Sequence, residues 1–404
     1  MTRRSRVPRA ARPVAIVSTT ISRTVEGFYR DIIRELRTRG YDVHVVTSSG
    51  PEIERLDEIA DAVHIVPMQR RISATRDAVA LARWLVLLRK TRPQLVFAGT
   101  PKAGLLGMIA ARLVGVPRRV YFLQGLRSEG YSGLRRRALE SAERVTSWCS
   151  VGVVAVSDSL ARAYLESGLE SGRPVQVPHH GSSHGVDSSH FAPMAPSAEV
   201  ARRLGLDPAV PVLLFVGRLT RDKGMDSLIE ACLILKSWGL DFQLLVVGAQ
   251  DEADSATYLS RLAGTDVRVA VVDHTSDIRE YIALAYALLL PTRREGLPNA
   301  VLESAAMGVP AVTTIATGAI DSVVPRRTGL LVPTDNPELL AWAARKLLLD
   351  PELRDSMGSA AREDVARRFA PELVAQAIVG IALNGRPPSS PMRYLTPAWG
   401  EGER

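Results

Sequence analysis

The most informative segment of the chain reads Glu295-Gly296-Leu297-Pro298-Asn299-Ala300-Val301-Leu302-Glu303, with one carboxylate on each side of a Gly-x-Pro-Asn turn. An apolar run, Ala283–Pro291, precedes it and predicts a strand. Downstream, Ala300–Met307 predicts a helix that ends at Gly308 and Pro310. Pro298 suits the first helical position, where no amide hydrogen is needed. The segment is therefore predicted to form a strand, a loop and a helix.

A helix that starts at Pro298 directs unpaired backbone N–H groups and a positive dipole end at the loop, which suits a phosphate group. Glu295 then precedes the helix, and Glu303 lies more than one turn inside it. At about 1.5 Å per residue, the separation is roughly 12 Å, comparable with the span of a sugar, a diphosphate and a ribose. One carboxylate can hold a donor sugar and the other a ribose. Two glutamates around a helix start can equally form a solvated surface.

A second cluster follows another strand-like run, Val210–Val216, and reads Phe215-Val216-Gly217-Arg218-Leu219-Thr220-Arg221-Asp222-Lys223-Gly224. Arg218 and Lys223 can supply the fixed positive charge that a diphosphate leaving group needs. Two basic residues after a strand are common, so this cluster alone does not identify a site.

Together, in this order and spacing, the two clusters resemble the donor half of glycosyltransferase family 4, with its Glu-x7-Glu motif and its upstream Gly-Arg and Lys-Gly loop. The similarity continues through residues 308–312 and 328–333 and covers most of the chain beyond Pro208. The resemblance implies the GT-B fold, which has two doubly wound, Rossmann-like α/β domains facing a cleft. It also implies retaining transfer of a hexosyl or N-acetylhexosaminyl group from a nucleotide diphosphate, with a UDP-sugar as the expected donor.

By the same resemblance, Glu295 is the catalytic candidate that positions the donor sugar, and Glu303 holds the ribose. The other substrate-binding candidates are Arg218, Lys223, Gly296, Leu297, Pro298 and Asn299. A leaving-phosphate oxygen can take the acceptor proton, so neither a dedicated base nor a metal cofactor is expected. A two-carboxylate hydrolase would need both glutamates near one atom, which their spacing disfavours.

Residues 100–107, 124–127 and 181–187 resemble a bacterial subgroup that extends lipid-linked saccharides for capsule, O-antigen or exopolysaccharide. This implies a polyprenyl-diphosphate-linked acceptor beside the nucleotide-sugar donor. The acceptor-side candidates are Ser22, Lys102, Gln124 and Arg127. Lys102 lies between a strand and a helix and can meet an acceptor phosphate, although a solvated loop lysine fits the same pattern.

The chain departs from the family pattern at three places. Gln124 stands where many members have a histidine near the donor sugar, Ser18–Ser22 where a Gly-Gly pair is common, and His184 where the subgroup usually has asparagine. Two other functions stay open. A GT-B nucleotide-sugar epimerase would need cleft acids and histidines placed for proton removal, and a nucleotide-sugar-binding protein would keep the pocket without turnover.

The chain has 404 residues, of which 46% are hydrophobic, and this predicts two domains. Strands alternate with helices on both sides of Phe191–Ser197, a segment with two prolines and no periodicity, which marks the boundary. We predict a basic tail over residues 1–12, an acceptor-side domain over 13–192, a nucleotide-sugar donor domain over 193–369, a helix crossing back over 370–385 and a loose tail over 386–404.

Charge is unevenly placed: residues 1–192 hold 29 Lys and Arg against 17 Asp and Glu, and residues 193–404 hold 22 against 26. No aromatic residues are interleaved with the basic ones, so nucleic acid is not an expected partner. Met1–Pro13 and the helix Arg76–Arg92, which carries Trp84, are candidates for peripheral contact with an anionic membrane. A disordered tail and a core helix are the respective alternatives, and the arginine content can also reflect coding bias.

No apolar run approaches the roughly 18 residues that span a bilayer, and the N-terminus lacks a signal-peptide pattern. Cys149 and Cys232 are the only cysteines, which excludes a disulfide framework. We therefore expect a cytoplasmic protein, which can act at the inner face of the plasma membrane. His179, His180, His184 and His190 favour loop residues over a metal site. The acidic segment 251–254 favours an exposed loop over a Mg²⁺ site.

Overall fold

The structure, a computed structural model, describes residues 12–69, 73–250, 254–275 and 277–384. The tail predicted over 386–404 and the predicted basic tail, apart from Arg12, lie outside these residues. Residues 251–253 of the predicted acidic loop also lie outside them.

The N-terminal half of the described chain forms a parallel sheet. Its strands are β1 (Val14–Ser18), β2 (Asp42–Thr47), β3 (Ala62–Ile65), β4 (Leu95–Gly99), β5 (Arg118–Leu123), β6 (Gly152–Ala155) and β7 (Val175–Gln176). They lie in the order β3-β2-β1-β4-β5-β6-β7. The central strands are apolar runs buried on both faces, as expected for a parallel sheet covered by helices.

The helices of this half are α1 (Ser22–Phe28), α2 (Arg30–Thr38), α3 (Ile53–Ile59), α4 (Ala74–Thr91), α5 (Pro101–Val114), α6 (Gly133–Cys149) and α7 (Asp158–Glu166). A single 3-10 turn spans Arg127–Gly130. α5 packs between α4 and α6, while α1, α2 and α3 pack together. Because the strand order reverses at β1, right-handed crossovers place these two groups on opposite faces of the sheet.

Trp84 lies inside this packing, fully buried in α4. The prediction that it contributes to a membrane contact is wrong, because its ring faces the core beside Gly107 of α5. For this face of the helix, the alternative of a core helix is correct.

The C-terminal half forms a second parallel sheet within the described residues. Its strands are β8 (Val212–Val216), β9 (Gln243–Val247), β10 (Arg268–Val272), β11 (Ala287–Leu290), β12 (Ala311–Thr314) and β13 (Gly329–Val332). Their order is β10-β9-β8-β11-β12-β13. The strand predicted from Ala283–Pro291 is shorter than expected, because its first four residues form the turn that precedes β11.

The helices of this half are α8 (Ala198–Arg203), α9 (Met225–Ser237), α10 (Ser255–Ala263), α11 (Arg279–Ile282), α12 (Asn299–Ala306), α13 (Pro337–Leu349) and α14 (Pro351–Arg368). Short 3-10 turns span Arg221–Lys223 and Ile320–Ser322. Both halves are therefore doubly wound α/β domains, and the predicted fold class is confirmed.

A last helix, α15 (Pro371–Asn384), packs against α2 and against β4, β5 and β6 of the first sheet. Its apolar side chains, among them Val374 and Ile378, are buried there. The amide of Val186 donates a 2.7 Å hydrogen bond to the carbonyl of Phe369, which joins the two segments that pass between the domains. No helix within the described ranges has both the length and the apolar character that crossing a membrane requires.

Candidate functional site

The loop between β11 and α12 carries Glu295 at the carboxyl end of the C-terminal sheet. Glu295 Oε1 accepts a hydrogen bond from Lys223 Nζ at 2.5 Å, and only 11% and 21% of the respective side-chain surfaces are exposed. The amide of Glu295 donates to the carbonyl oxygen of Thr317 at 2.8 Å. The fold therefore brings together the two sequence clusters, because neighbouring strands β8 and β11 end at the same edge of the sheet.

The loop after β8 is fixed directly against the loop of Glu295. Gly224 has a φ of +78°, and a Cβ there would lie 1.9 Å from the carbonyl oxygen of Pro291, so only glycine fits. The carboxylate of Asp222 pairs with the guanidinium group of Arg294. These contacts hold Lys223 at the Glu295 carboxylate. Arg218, at the start of the loop, is exposed at the same edge of the sheet.

α12 begins at Asn299, one residue after Pro298 and one residue before the apolar helix predicted from Ala300. Pro298 is the cap residue, with an extended ψ of 106°, so the prediction that it occupies the first helical position is wrong. Its carbonyl oxygen nevertheless accepts from the amide of Val301 at 3.1 Å. Asn299 Oδ1 is buried and has no hydrogen-bond partner among the described residues. A polar atom in that state is costly unless a ligand or water bonds to it.

Glu303 lies on the second turn of α12, with part of its surface exposed. Burial disfavours its charged form and raises the pKa of its carboxyl to about 7. Both protonation states are therefore populated near neutral pH, and the group can either accept hydrogen bonds from hydroxyls or donate one to them.

Gly296 lies between the two domains. A Cβ on this residue would lie 2.2 Å from the carbonyl oxygen of Gln124 and 2.9 Å from Val156 Cγ2, both in the N-terminal domain. Ser157 Oγ donates a 2.7 Å hydrogen bond to the carbonyl oxygen of Gly296. The adjacent Leu297 is also buried, within the hydrophobic core of the N-terminal domain. The loop that carries Glu295 is thus part of the domain interface.

The four acceptor-side candidates lie in different environments. Gln124 reaches the loop of Glu295 through its backbone, as described above. Arg127 begins the 3-10 turn that follows. Burial raises the pKa of the nearby Glu143, and the positive charge of Arg127 opposes this with a smaller effect. Gln124 therefore lies at the domain interface, and Arg127 lies in the same 3-10 turn as Glu129, which accepts a hydrogen bond from Thr317 of the other domain.

Ser22 and Lys102 are each engaged by a carboxylate. Ser22 is buried and its Oγ donates to Glu52 Oε2 at 2.6 Å. Lys102 Nζ lies 2.7 and 2.6 Å from the two carboxylate oxygens of Asp77, and 10% of the lysine side chain is exposed. The alternative that Lys102 is a solvated loop lysine is wrong, because this ion pair holds it between α4 and α5.

The histidines named above do not form a metal-binding cluster in the described part of the chain, where no group of three or more His, Cys, Asp or Glu could hold a metal ion. The ring centroids of His184 and Phe28 are instead 4.9 Å apart. Burial lowers the pKa of the His184 imidazole to about 4. The rings of His179 and His180 meet edge to face, with their centroids 4.4 Å apart.

Sequence reasoning missed the polar contacts between the domains. Thr317 Oγ1 donates to Glu129 Oε1 at 2.8 Å, and Ser159 bonds to Asp321. These residues are single polar positions in loops or helix starts, and no periodicity distinguishes them.

Comparisons with known proteins cover both halves of the chain. Residues 197–364 match the family described as glycosyl transferases group 1, and residues 25–180 match the glycosyl transferase 4-like domain. The capsular polysaccharide biosynthesis glycosyltransferase CapM of Staphylococcus aureus is 32% identical over 358 residues, which cover 88% of this chain and 93% of the relative.

A second relative is the N,N'-diacetylbacillosaminyl-diphospho-undecaprenol alpha-1,3-N-acetylgalactosaminyltransferase of Campylobacter jejuni. It is 24% identical over 361 residues, covering 86% of this chain and 93% of the relative. Among solved structures, Anabaena HepE in complex with UDP-glucose has a TM-score of 0.75 at 21% identity, covering 91% of this chain and 98% of that one. This likeness concerns the fold.

Proposed function

Since the chain belongs to the group 1 glycosyltransferases and has the GT-B fold, we propose that it transfers a sugar from a UDP-sugar to a polyprenyl-diphosphate-linked saccharide. The configuration of the anomeric carbon is retained in this reaction. The product is a lipid-linked precursor of a surface polysaccharide. CapM is named for capsule synthesis and the Campylobacter relative for an undecaprenol-diphosphate acceptor, which supports this acceptor class. HepE, which shares the fold, binds UDP-glucose.

One observation carries the proposal. Lys223 and Glu295 come from two loops at the carboxyl end of one sheet and meet in front of α12, at the contact between the domains. A donor that lies across this point has its diphosphate near positive groups, namely Lys223 and the amides at the start of α12. Its sugar lies near Glu295. The ammonium group of Lys223 suits the negative diphosphate of the donor, and the carboxylate of Glu295 suits the sugar, on which positive charge develops.

In the proposed mechanism, positive charge develops on the donor sugar and negative charge on the departing diphosphate. Lys223, Arg218 and the start of α12 stabilise the diphosphate. Lys223, held by Glu295, and the amides of the helix are fixed in advance, so they need no reorganisation during the reaction. Glu295 binds sugar hydroxyls and holds the anomeric carbon towards the acceptor. An oxygen of the leaving phosphate takes the acceptor proton. These groups supply the positive charge without a metal ion.

The remaining candidates bind the nucleoside. Glu303 lies one turn further into α12 and holds ribose hydroxyls. Asn299 Oδ1, at the start of the same helix, has no partner among the described residues and can accept a further hydrogen bond from the nucleotide-sugar. The lipid-linked saccharide that receives the sugar binds on the side of the N-terminal domain, where Gln124 and Arg127 lie next to the interface.

We place this reaction in the cytoplasm at the inner face of the plasma membrane, where the lipid-linked acceptor is found. The exposed face of α4 supports peripheral contact with anionic lipid. It carries Arg76, Val79, Arg83, Val86 and Lys90 at the spacing of a single helical stripe, while Trp84 faces the core.

The test of this function is turnover of a panel of UDP- and GDP-sugars, with and without polyprenyl-diphosphate-linked saccharides, followed by NMR of the product. We expect nucleotide release that requires both a UDP-sugar and the acceptor, and a product with the donor's anomeric configuration. Release from GDP-sugars alone would overturn the donor assignment. Binding without release would indicate a nucleotide-sugar-binding protein, and an isomerised sugar nucleotide would indicate an epimerase.

A further inference from the structure

A compact polar contact joins the two domains beside the loop that carries Glu295. The amide and the hydroxyl of Ser159, in the first turn of α7, both donate to Asp321 Oδ2, at 2.9 and 2.5 Å. The amide of Gly318 donates to Ser159 Oγ at 2.7 Å. Ser159 belongs to the N-terminal domain, and Gly318 and Asp321 follow β12 in the C-terminal domain. We call these three residues the latch.

The latch is stronger than an ordinary surface contact for two reasons. Its acceptor is a carboxylate, and hydrogen bonds to charged groups are about twice as strong as those between neutral groups. The carboxylate of Asp321 also lies at the start of α7, where the helix dipole favours negative charge, although Asp321 and the carboxylate of Asp158 in the same turn repel each other. α7 is itself well formed, because the side chain of Ser157 accepts from the amide of Leu160 and caps it.

The latch is continuous with the loop that carries Glu295. Gly318 has a φ of +77°, and a Cβ there would lie 2.3 Å from the carbonyl oxygen of Gly296 and 2.6 Å from that of Glu295. The residue before it, Thr317, accepts the hydrogen bond from the Glu295 amide. A displacement of the latch therefore displaces the backbone of Glu295 and, with it, the Glu295 carboxylate.

We propose that Ser159 and Asp321 form an interdomain latch that holds the two domains together and sets the position of Glu295 for sugar transfer. This inference rests on the proposed function and adds to it two positioning residues, neither of which touches the donor. The hydrogen bonds of the latch exist only when the domains are together, so they favour that arrangement by their own free energy. Donor binding itself involves mainly the C-terminal domain.

The test compares Ser159→Ala, Asp321→Asn and the double variant with the wild type. With the donor found in the panel, each single variant is expected to lower kcat about tenfold and to leave the donor KM within about threefold, the scale of losing hydrogen bonds to a charged group. The double variant should lose no more than the worse single variant, because the two residues act as one unit. Additive losses, or a raised donor KM at unchanged kcat, would overturn the latch.

Two further variants control for general damage. Ser159→Thr keeps both donors and should restore most of the activity. Asp241→Asn removes an ion pair with Lys236 that lies within one domain, before the start of β9 and away from the Glu295 loop, and it should leave kcat unchanged. Loss of activity in Asp241→Asn equal to that in Asp321→Asn would count against a specific role for the latch.

Small-angle X-ray scattering of the same proteins, alone and with UDP, separates the latch from the proposed function. The latch predicts a larger radius of gyration for Ser159→Ala and Asp321→Asn than for the wild type and Asp241→Asn. Should the wild type release no nucleotide, the proposed function fails, and scattering alone then decides on the latch. Identical radii in all four proteins would contradict it.

Discussion

Gly296 lies so close to Gln124 of the other domain that a Cβ would sit 2.2 Å from the Gln124 carbonyl oxygen. The loop that carries Glu295 can therefore reach its place only with a glycine at position 296. In the proposed function, this approach brings the donor-binding loop of one domain to the acceptor side of the other.

Gly296→Ala is expected to lower kcat/KM about five- to 150-fold, because the added methyl group must push the two domains apart at a cost of about 1–3 kcal/mol. The measurement is steady-state kinetics together with thermal unfolding. Gly27→Ala is the matched control: a Cβ at Gly27 meets nothing within 4 Å, and alanine favours its helix. Wild-type kinetics for Gly296→Ala would show that the close contact is not needed for activity.

Nucleotide affinity should depend on the ionisation of Glu303. Its pKa of about 7 leaves roughly a tenth of the carboxyl ionised at pH 6 and nine tenths at pH 8. If the ionised form holds the ribose hydroxyls, UDP affinity measured by calorimetry rises about tenfold over this range. Glu303→Gln should remove that rise while keeping the titration of the UDP phosphate itself. Parallel pH profiles for the two proteins would argue against ribose binding by Glu303.

Glu143 is expected to make the fold less stable as pH rises. Burial raises the pKa of this carboxyl from 4.5 to about 7 in the folded state. Between these values the unfolded chain releases a proton that the folded chain retains, so the free energy of unfolding falls as pH increases and then levels off. Glu143→Gln avoids this loss, and its stability relative to wild type should improve by up to about 3 kcal/mol between pH 4.5 and pH 8.

Urea unfolding at the two pH values measures this difference. Glu363→Gln, an exposed position on α14, is the control for removal of a carboxylate. A stability difference between Glu143→Gln and wild type that is the same at both pH values would refute the prediction.

The local patterns of the sequence predicted much of the fold. Apolar runs bounded by turn residues gave the strand and helix on either side of Glu295, because burial on both faces of a parallel sheet requires such runs. They also indicated that Lys223 and Glu295 lie on loops at one edge of a sheet. Helix boundaries were wrong by one residue where the backbone torsion angles decide the start of the helix. Pro298 is an example, because proline suits both the cap and the first helical position.

Contacts between distant parts of the chain could not be predicted in this way. Ser159 and Asp321 are 162 residues apart, and Thr317 and Glu129 are 188 apart. A single serine or aspartate in a loop carries no periodic signal, and its partner depends on how the two domains meet. Glu143 was missed for a similar reason, because on a helix with many charged residues the sequence does not show which one is buried.

The central claim is tested most directly by acceptor-dependent nucleotide release in the wild type, Glu295→Ala, Lys223→Ala and the surface control Glu363→Ala. Circular dichroism of each protein shows whether it is folded. We predict that the control retains full activity and that both site variants, although folded, lose at least about a hundredfold, the scale of removing one group that stabilises transition-state charge. Wild-type release by folded Glu295→Ala or Lys223→Ala would contradict the assignment of this ion pair to the site of sugar transfer.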